Sequence, residues 1–326
     1  MSRPIVIIAA PGMAFLEIKI GQSLRDLGRD AETLIFHWGH FPDGEPDVVI
    51  GGVQKIHGAH VVFLANFSAN NGSIMEQIGL MYAMSHYGAY SLTVVIPYFP
   101  GTLDRVDVPG RLVWSKTLAR MLSAIPPCFG AGPARIVIYD IHAQQTQLTF
   151  GDGVACVFLD ALQHDHGVFH GLWRQLESWS TLDNPPLICF PDAGARKRYE
   201  YLARGKPTIV CEKRRGSGNE RELHVVDGDP GGRIVLIVDD LVMSGRTILE
   251  CARLMRERGA RCVDALCVHG VLPSDAVERI NAASPQYLST LHVTDTIPRV
   301  TELAGDRITV HSIAPQLSQW LVEHID

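Results

Sequence analysis

The sequence lacks the features that mark several special classes of protein. No run of about 18 apolar residues is present, so no membrane-spanning helix is predicted. The seven cysteines include no CxxC pair, and most lie in apolar runs, which favours buried, reduced thiols in a cytoplasmic protein. Basic residues are not in excess, because 29 Lys and Arg face 35 Asp and Glu, for a net charge of −6. A surface that coats nucleic acid needs the opposite balance, and we expect no nucleic-acid partner.

The remaining composition is that of a soluble globular protein. Hydrophobic residues make up 46% of the chain and charged residues 20%. At 326 residues, two domains of ordinary size are expected. The opening stretch SRPIVIIAAPGMAF has some character of a signal peptide, but a first β-strand at residues 5–9 explains it better.

Short apolar runs alternate with helical stretches along the whole chain. This alternation predicts an α/β protein with parallel sheets covered by helices. The runs are PIVIIAA, AETLIFH, HVVFLAN, LTVVIPY, RIVIYDI, CVFLD, PLICFPD, PTIVCEK, RIVLIVDD, CVDALCVHG and ITVHSIAP. The helix-poor stretch FGDG precedes the sixth run, so we place the boundary there, giving domains at residues 1–155 and 156–326. Comparable sets of elements in the two halves make a duplicated architecture plausible.

The stretch IVLIVDDLVMSGRT at residues 234–247 carries the clearest chemical signal. A buried strand is predicted to end in the paired acids Asp239 and Asp240, followed by a polar loop and the helix TILECARLMRERGA. Backbone N–H groups of such a loop can cradle a phosphate, and carboxylates accept hydrogen bonds from sugar hydroxyls. Together they describe a ribose 5-phosphate site. The alternative is a helix N-cap by Ser244, with the acids stabilising the helix dipole.

These residues resemble the ribose-phosphate loop of the phosphoribosyltransferase fold. Further segments occur in the order seen in ribose-phosphate pyrophosphokinases, and the resemblance spans nearly the whole chain. These segments are FPDGE (41–45), IPYFP (96–100), YDIHAQQTQ (139–147), PDAG (191–194), KRR (213–215), HGV (269–271) and VTDTIP (293–298). The resemblance implies two phosphoribosyltransferase-type, Rossmann-like domains, each a mainly parallel sheet flanked by helices. The implied reaction moves the pyrophosphoryl group of ATP to ribose 5-phosphate, giving phosphoribosyl pyrophosphate and AMP.

The resemblance also implies roles for individual residues. The ribose 5-phosphate site would comprise Asp239, Asp240, Met243, Ser244, Gly245, Arg246 and Thr247. Catalysis would use Lys213, Arg215 and His142, with Lys213 and Arg215 on a mobile lid before Gly216-Ser217-Gly218. Mg²⁺ would be held by His142 and Asp192. The nucleotide would contact Phe41, Asp43, Glu45, Asp104, Arg105 and His142, with FPDGE donated by a neighbouring subunit of a homodimer or hexamer.

Each motif also has a purely structural interpretation. His142 fits a strand-end histidine, Asp192 a helix cap, residues 213–215 a solvated basic loop, and PDG a turn between two strands. The position of each motif within the resemblance favours the functional interpretation.

The sequence departs from the family beside the nucleotide site. An Arg-Gln pair that usually follows IPYFP is missing, and the chain reads Gly101-Thr102-Leu103-Asp104-Arg105. Arg246 stands where the family commonly has Gly. A divergent enzyme with an altered donor or acceptor, such as ADP-ribose, is therefore one alternative. The others are a non-catalytic regulatory homologue and a base-salvage phosphoribosyltransferase, which would need neither FPDGE nor so long an N-terminal half.

Overall fold

The computed structural model describes residues 3–68, 70–101, 108–142, 144–163, 167–215, 221–283, 286–303 and 307–325. The strands are β1 Ile5–Ala9, β2 Ala31–Thr33, β3 Phe36–His40, β4 Pro46–Ile50, β5 His60–Leu64, β6 Ser91–Ile96, β7 Ala134–Tyr139, β8 Val154–Leu159, β9 Leu187–Phe190, β10 Thr208–Arg215, β11 Arg221–Asp227, β12 Ile234–Val242, β13 Cys262–Gly270, β14 Thr290–Thr294 and β15 Ile308–His311. The α-helices are α1 Ala14–Asp26, α2 Asn71–His86, α3 Trp114–Leu122, α4 Val168–Ser178, α5 Ala193–Tyr199, α6 Arg246–Glu257, α7 Ser274–Ala283 and α8 Ala314–His324. Within these ranges, no helix combines the length and apolar character needed to cross a bilayer.

The chain forms two compact units, one of residues 1–160 with 314–326 and one of residues 161–313. This division differs in two respects from the one expected between residues 155 and 156. Strand β8 crosses that point and pairs in parallel with β7, so it belongs to the first unit. Helix α8 also belongs there, because Gln316 Nε2 donates to the Asp160 carbonyl at 2.8 Å and Ser318 Oγ to the Ile20 carbonyl at 3.5 Å.

The first unit is built on a six-stranded parallel sheet in the order β2-β1-β5-β6-β7-β8. Every residue of β5 is buried, as expected for a central strand with helices on both faces. Strands β3 and β4 form a separate antiparallel hairpin. The run AETLIFH, predicted as one strand, therefore splits, because residues 31–33 pair with β1 while residues 36–40 pair with β4.

The second unit contains a seven-stranded sheet in the order β11-β10-β9-β12-β13-β14-β15. All neighbours are parallel except β10 and β11, which form an antiparallel pair at one edge. Residues 234–238 of β12 are buried, which explains their continuous apolar run. The strand does not end at the paired acids as predicted, since it pairs with β13 as far as Val242.

The two sheets share one topology. When the hairpin β3-β4 and the edge strand β11 are set aside, the strands of each unit, taken in chain order, lie in the order 2-1-3-4-5-6. The strand order reverses between β1 and β5 in the first unit and between β9 and β12 in the second. The expectation of a duplicated architecture thus has a counterpart in the topology. In open parallel sheets, ligands bind beyond the carboxyl ends of the strands at such a reversal.

All seven cysteines are free thiols, and three of them meet in the core of the second unit. Hydrogen bonds from Cys189 and Cys251 and the charge of Arg258 lower the pKa of Cys211 to about 4, against the opposing effect of burial. Hydrogen bonds to Cys211 and Cys251, with burial, raise the pKa of Cys189 well above its usual range.

Candidate active site

The paired acids lie in β12 beside the reversal point of the second sheet. Asp240 is buried and Asp239 is half-buried. The backbone N–H of Asp240 donates to Asp239 Oδ1 at 2.9 Å, and Asp240 Oδ2 lies 3.5 Å from a guanidinium nitrogen of Arg198 on α5. Burial, followed by the negative charges of Asp240 and Asp192, raises the pKa of Asp239 well above its usual range. The negative charge of these carboxyl groups is thus only partly offset by cationic groups of the protein.

The loop between β12 and α6 has the geometry of an anion cradle. Gly245 adopts a left-handed conformation with φ of 72°, and a Cβ added there would lie 3.2 Å from two carbons of the Ile280 side chain. Helix α6 begins at the next residue, Arg246. The backbone N–H of Arg246 donates to Ser244 Oγ at 3.4 Å, and Arg279 donates to the Ser244 carbonyl. The first turn of α6 thus follows a loop whose conformation favours glycine, an arrangement that suits anion binding.

Asp192 follows β9, the strand that pairs with β12 at the reversal point. Its Oδ1 accepts a hydrogen bond from the backbone N–H of Ala195 at 2.9 Å, so Asp192 is the N-cap of α5. The helix-cap interpretation is therefore correct, and it does not compete with metal binding, because the cap fixes the carboxylate beside the acid pair. The influence of Asp192 on the pKa of Asp239 shows that the two carboxyl groups are near each other.

His142 follows β7 in the first unit, and its side chain is exposed. Two residues earlier, Asp140 is buried and has φ of 40°, an uncommon conformation for a residue other than glycine. The Asp140 N–H still donates to the Leu159 carbonyl at 2.9 Å. The chain therefore bends sharply at the carboxyl end of β7, burying Ile141 and exposing His142. Strain of this kind is concentrated at functional sites.

The FPDGE segment forms the turn of the β3-β4 hairpin, as its structural interpretation predicts. The N–H of Phe41 donates to the Glu45 carbonyl at 2.8 Å, and Gly44, with φ of 91°, donates to the Phe41 carbonyl at 2.9 Å. The Glu45 N–H donates to Asp43 Oδ1 at 3.1 Å. Phe41 is 50% exposed, so one ring of this turn is available to stack on a planar ligand.

Other predicted residues are described only in part. The backbones of Lys213 and Arg215 lie in β10, opposite Leu223 and Arg221 of β11. Asp104, Arg105 and the predicted lid segment Gly216-Ser217-Gly218 lie outside the described residues.

The structure shows two arginines at the candidate site that were not predicted from the sequence. Arg198 pairs with Asp240, and Arg279 holds the carbonyl of Ser244 in the phosphate loop. The run ARKRY directly after PDAG is a signal for the first, because it places basic residues on the helix that Asp192 caps. Arg279 lies on α7, far along the chain from the loop, and no local pattern indicates its role.

The strand reversal, the acid pair and the glycine-containing loop are those of a phosphoribosyltransferase-type domain. Comparisons with known proteins support this fold class. The model of the N-terminal domain of ribose phosphate pyrophosphokinase matches residues 6–125, and that of the phosphoribosyl synthetase-associated domain matches residues 215–325. A crystal structure of phosphoribosylpyrophosphate synthetase from Mycobacterium smegmatis has the same fold, with a TM-score of 0.78, 23% identity and coverage of 98% of both chains.

Two curated rice proteins are similar enough to this chain to establish its family. Ribose-phosphate pyrophosphokinase 4 of Oryza sativa subsp. japonica is 38% identical over 271 residues, which cover 82% of this chain and 80% of that protein. Ribose-phosphate pyrophosphokinase 3, chloroplastic, of the same organism is 38% identical over 283 residues, and the match spans 85% of this chain but 66% of that protein. The chain belongs to the ribose-phosphate pyrophosphokinase family.

Proposed function

We propose that the protein is a ribose-phosphate diphosphokinase. It transfers the β,γ-pyrophosphoryl group of ATP to the C1 hydroxyl of ribose 5-phosphate, giving phosphoribosyl pyrophosphate and AMP. The observation that carries the proposal is the acid pair Asp239 and Asp240 leading into the Gly245 loop at the strand reversal of the second sheet. A transferase acting on a sugar phosphate needs both a phosphate cradle and acceptors for ring hydroxyls at one place.

The acceptor is bound by complementary groups of this loop. Backbone N–H groups of residues 244–247 and the hydroxyls of Ser244 and Thr247 hold the 5-phosphate, with Met243 and Arg246 beside it. Asp239 and Asp240 accept hydrogen bonds from the ribose hydroxyls. Arg198 positions Asp240 for this role, because its guanidinium lies 3.5 Å from that carboxylate.

The donor set of the site suits Mg²⁺. Magnesium takes one or two carboxylates together with substrate phosphates and water, and the negative charges of Asp240 and Asp192 both act on Asp239. We assign Asp192 and His142 as its protein partners. When bound, the ion neutralises phosphate charge and orients the transferred group. Lys213 and Arg215 stabilise the charge that develops on the pyrophosphoryl group, and no covalent intermediate on the protein is needed.

The nucleotide is assigned to the FPDGE hairpin. Phe41 stacks on the base, Asp43 and Glu45 accept its hydrogen bonds, and His142, Asp104 and Arg105 contact the rest of the nucleotide. Support comes from the exposed ring of Phe41 and the turn that fixes it. In a homo-oligomer, a dimer or hexamer, this hairpin would be donated to the neighbouring subunit's site. A cytoplasmic location stays a prediction from the reduced thiols, and one of the rice relatives is named chloroplastic.

The test is a reaction with defined substrates. Purified protein is incubated with Mg²⁺, ribose 5-phosphate and each nucleoside triphosphate in turn, and both phosphoribosyl pyrophosphate and the nucleoside monophosphate are quantified. We expect stoichiometric formation of the two products, with ATP as donor. Product with ADP-ribose in place of ribose 5-phosphate would instead support an altered acceptor, and no product with any donor would support a regulatory homologue.

Lys213→Ala tests the assignment of the catalytic cation. Loss of a group that acts on developing charge should lower kcat by roughly 100-fold or more, while the melting temperature stays unchanged. Lys116→Ala, on the exposed face of α3, is the matched control and should leave both quantities unchanged. An unaltered kcat in Lys213→Ala would remove this lysine from the mechanism.

A further inference from the structure

Three buried thiols converge on one point in the second unit. Cys189 comes from β9, Cys211 from β10 and Cys251 from α6, and each is 0% exposed. The Sγ atoms of Cys189 and Cys251 are 3.5 Å apart, those of Cys189 and Cys211 3.9 Å, and those of Cys211 and Cys251 4.0 Å. The point equidistant from the three sulfurs then lies about 2.2 Å from each, close to the zinc–sulfur bond length of about 2.3 Å.

We propose that Cys189, Cys211 and Cys251 form a binding site for a soft d¹⁰ metal ion of the Cu⁺ or Zn²⁺ class. Thiolate ligands select such ions over Mg²⁺, which prefers oxygen. Three sulfurs suffice for trigonal Cu⁺, and Zn²⁺ would complete its tetrahedron with one exogenous ligand. In the part of the chain that the structure describes, this is the one group of three or more His, Cys, Asp or Glu residues with ligand atoms close enough to share an ion.

Packing alone accounts for the burial of the thiols but not for their convergence. Cysteine packs as a small apolar side chain, and three such residues could occupy the core without pointing at one another. Here three separate elements each direct a sulfur to the same point. An ion needs no rearrangement of the backbone to bind there, because the sulfurs are already at ligand spacing.

The site would tie together the elements that carry the candidate active site. Strand β9 leads to Asp192, β10 carries Lys213, and α6 begins directly after the phosphate loop. An ion bound by all three elements would stabilise the second unit against unfolding. The inference concerns binding, and its test does not depend on the enzymatic activity.

The experiment uses the full chain, reduced and stripped of metal. Zn²⁺ and Cu⁺ are titrated in separate arms, and Cd²⁺ replaces Zn²⁺ in a third arm because cadmium thiolates absorb in the ultraviolet. We expect saturation at one ion per chain, an absorption band with the intensity of three thiolates, and a rise in Tm of about 5 °C at 100 times the Kd. The Zn²⁺ and Cu⁺ arms decide which ion binds more tightly.

Alanine variants locate the site. Cys189→Ala and Cys251→Ala should each weaken binding by about 100-fold or more, since even the loss of an outer partner of a metal ligand costs up to about 100-fold. Cys267→Ala is the matched control, because Cys267 is also 0% exposed and lies on β13 of the same unit. It should bind the ion like the wild type.

Two results would overturn the proposal. One is the absence of saturable binding at one ion per chain in the wild type, and the other is equal binding in the cluster and control variants. If the cluster variants fail to fold, the wild type is alkylated in urea near its unfolding midpoint, where the buried thiols become accessible, and mass spectrometry compares samples with and without the ion. The ion should then protect Cys189, Cys211 and Cys251 from alkylation, and protection of any other cysteines instead would also refute the assignment.

Discussion

Asp264 and His292 should give the stability of the protein two opposing dependences on pH. Asp264 on β13 is 3% exposed and His292 on β14 is 7% exposed, with His292 Nε2 4.0 Å from Asp264 Oδ2. Burial raises the pKa of Asp264 from 3.8 to about 6. Burial, aided by the charge of His311, lowers the pKa of His292 from 6.5 to about 4. The folded protein therefore favours the uncharged form of both groups.

The sign of each contribution follows from which state binds more protons. Between pH 4 and 6, the folded state keeps a proton on Asp264 that the unfolded chain loses, so this residue lowers the free energy of unfolding as the pH rises. Between pH 4 and 6.5, the unfolded chain keeps a proton on His292 that the folded state lacks, so this residue raises the free energy of unfolding as the pH rises. Each pKa difference corresponds to roughly 3 kcal/mol, so the two contributions nearly cancel in the wild type.

Single substitutions should reveal the two contributions separately. We expect the free energy of unfolding of Asp264→Asn, relative to wild type, to rise by roughly 3 kcal/mol between pH 4 and 7. That of His292→Gln should fall by a similar amount over the same range. The assay is urea unfolding at half-unit pH steps, followed by circular dichroism, and the double variant serves as control because it should track the wild type. Two single variants with slopes of the same sign, or with none, would refute this reasoning.

Two further predictions concern the acceptor site. Gly245→Ala and Gly259→Ala both place alanine at a positive φ, of 72° and 89°, at opposite ends of α6, so each should lower the free energy of unfolding by about 1–2 kcal/mol in urea melts. Only Gly245→Ala should also raise the KM for ribose 5-phosphate, by roughly 10-fold, and an equal KM in the two variants would separate the loop from phosphate binding. Arg198→Ala removes the ion-pair partner of Asp240, so the KM for ribose 5-phosphate should rise by roughly 10-fold, with partial recovery in Arg198→Lys. Arg253→Ala, which breaks an exposed pair on α6, should leave this KM unchanged, and an equal KM in the Arg198 and Arg253 variants would refute a role for Arg198.

The sequence predicts the central strands well because burial on both faces leaves continuous apolar runs. Strands β1, β5, β7 and β12 all coincide with such runs. Strands β4, β11 and β14 were not predicted, and for the first two the reason is the opposite. Strand β11 reads RELHVVD and pairs on one side only, while β4 is half-exposed in a hairpin. Neither sequence therefore shows a clear hydrophobic pattern. The packing of α8 on the first unit joins positions about 300 residues apart in the sequence, which no local pattern can show.

The residues of the candidate site were chosen by type and spacing, which say nothing of their electrostatics. The paired acids and the glycine loop follow from IVLIVDDLVMSGRT, and the family resemblance supplied Asp192 and His142. That Asp240 has Arg198 as an ion-pair partner, whereas Asp239 is surrounded by negative charge, depends on how α5 packs against β12. This packing brings together residues 42 positions apart, and it alone makes the two acids chemically different.

That difference bears on how two adjacent acids can occupy a largely buried strand. Asp240 has the guanidinium of Arg198 3.5 Å from its carboxylate, which offsets its negative charge. Asp239 is disfavoured as an anion by burial and by its two carboxylate neighbours, so its ionised form gains most when a divalent ion or hydroxyl donors arrive. Asp192 has two effects. Its carboxylate caps α5, and its negative charge adds to the charge around Asp239 that would attract a cation. The cap that Asp192 places on α5 and the negative charge that it adds beside Asp239 are two consequences of the same packing, so Asp192→Ala should lower both the thermal stability and the affinity for Mg²⁺ measured by titration.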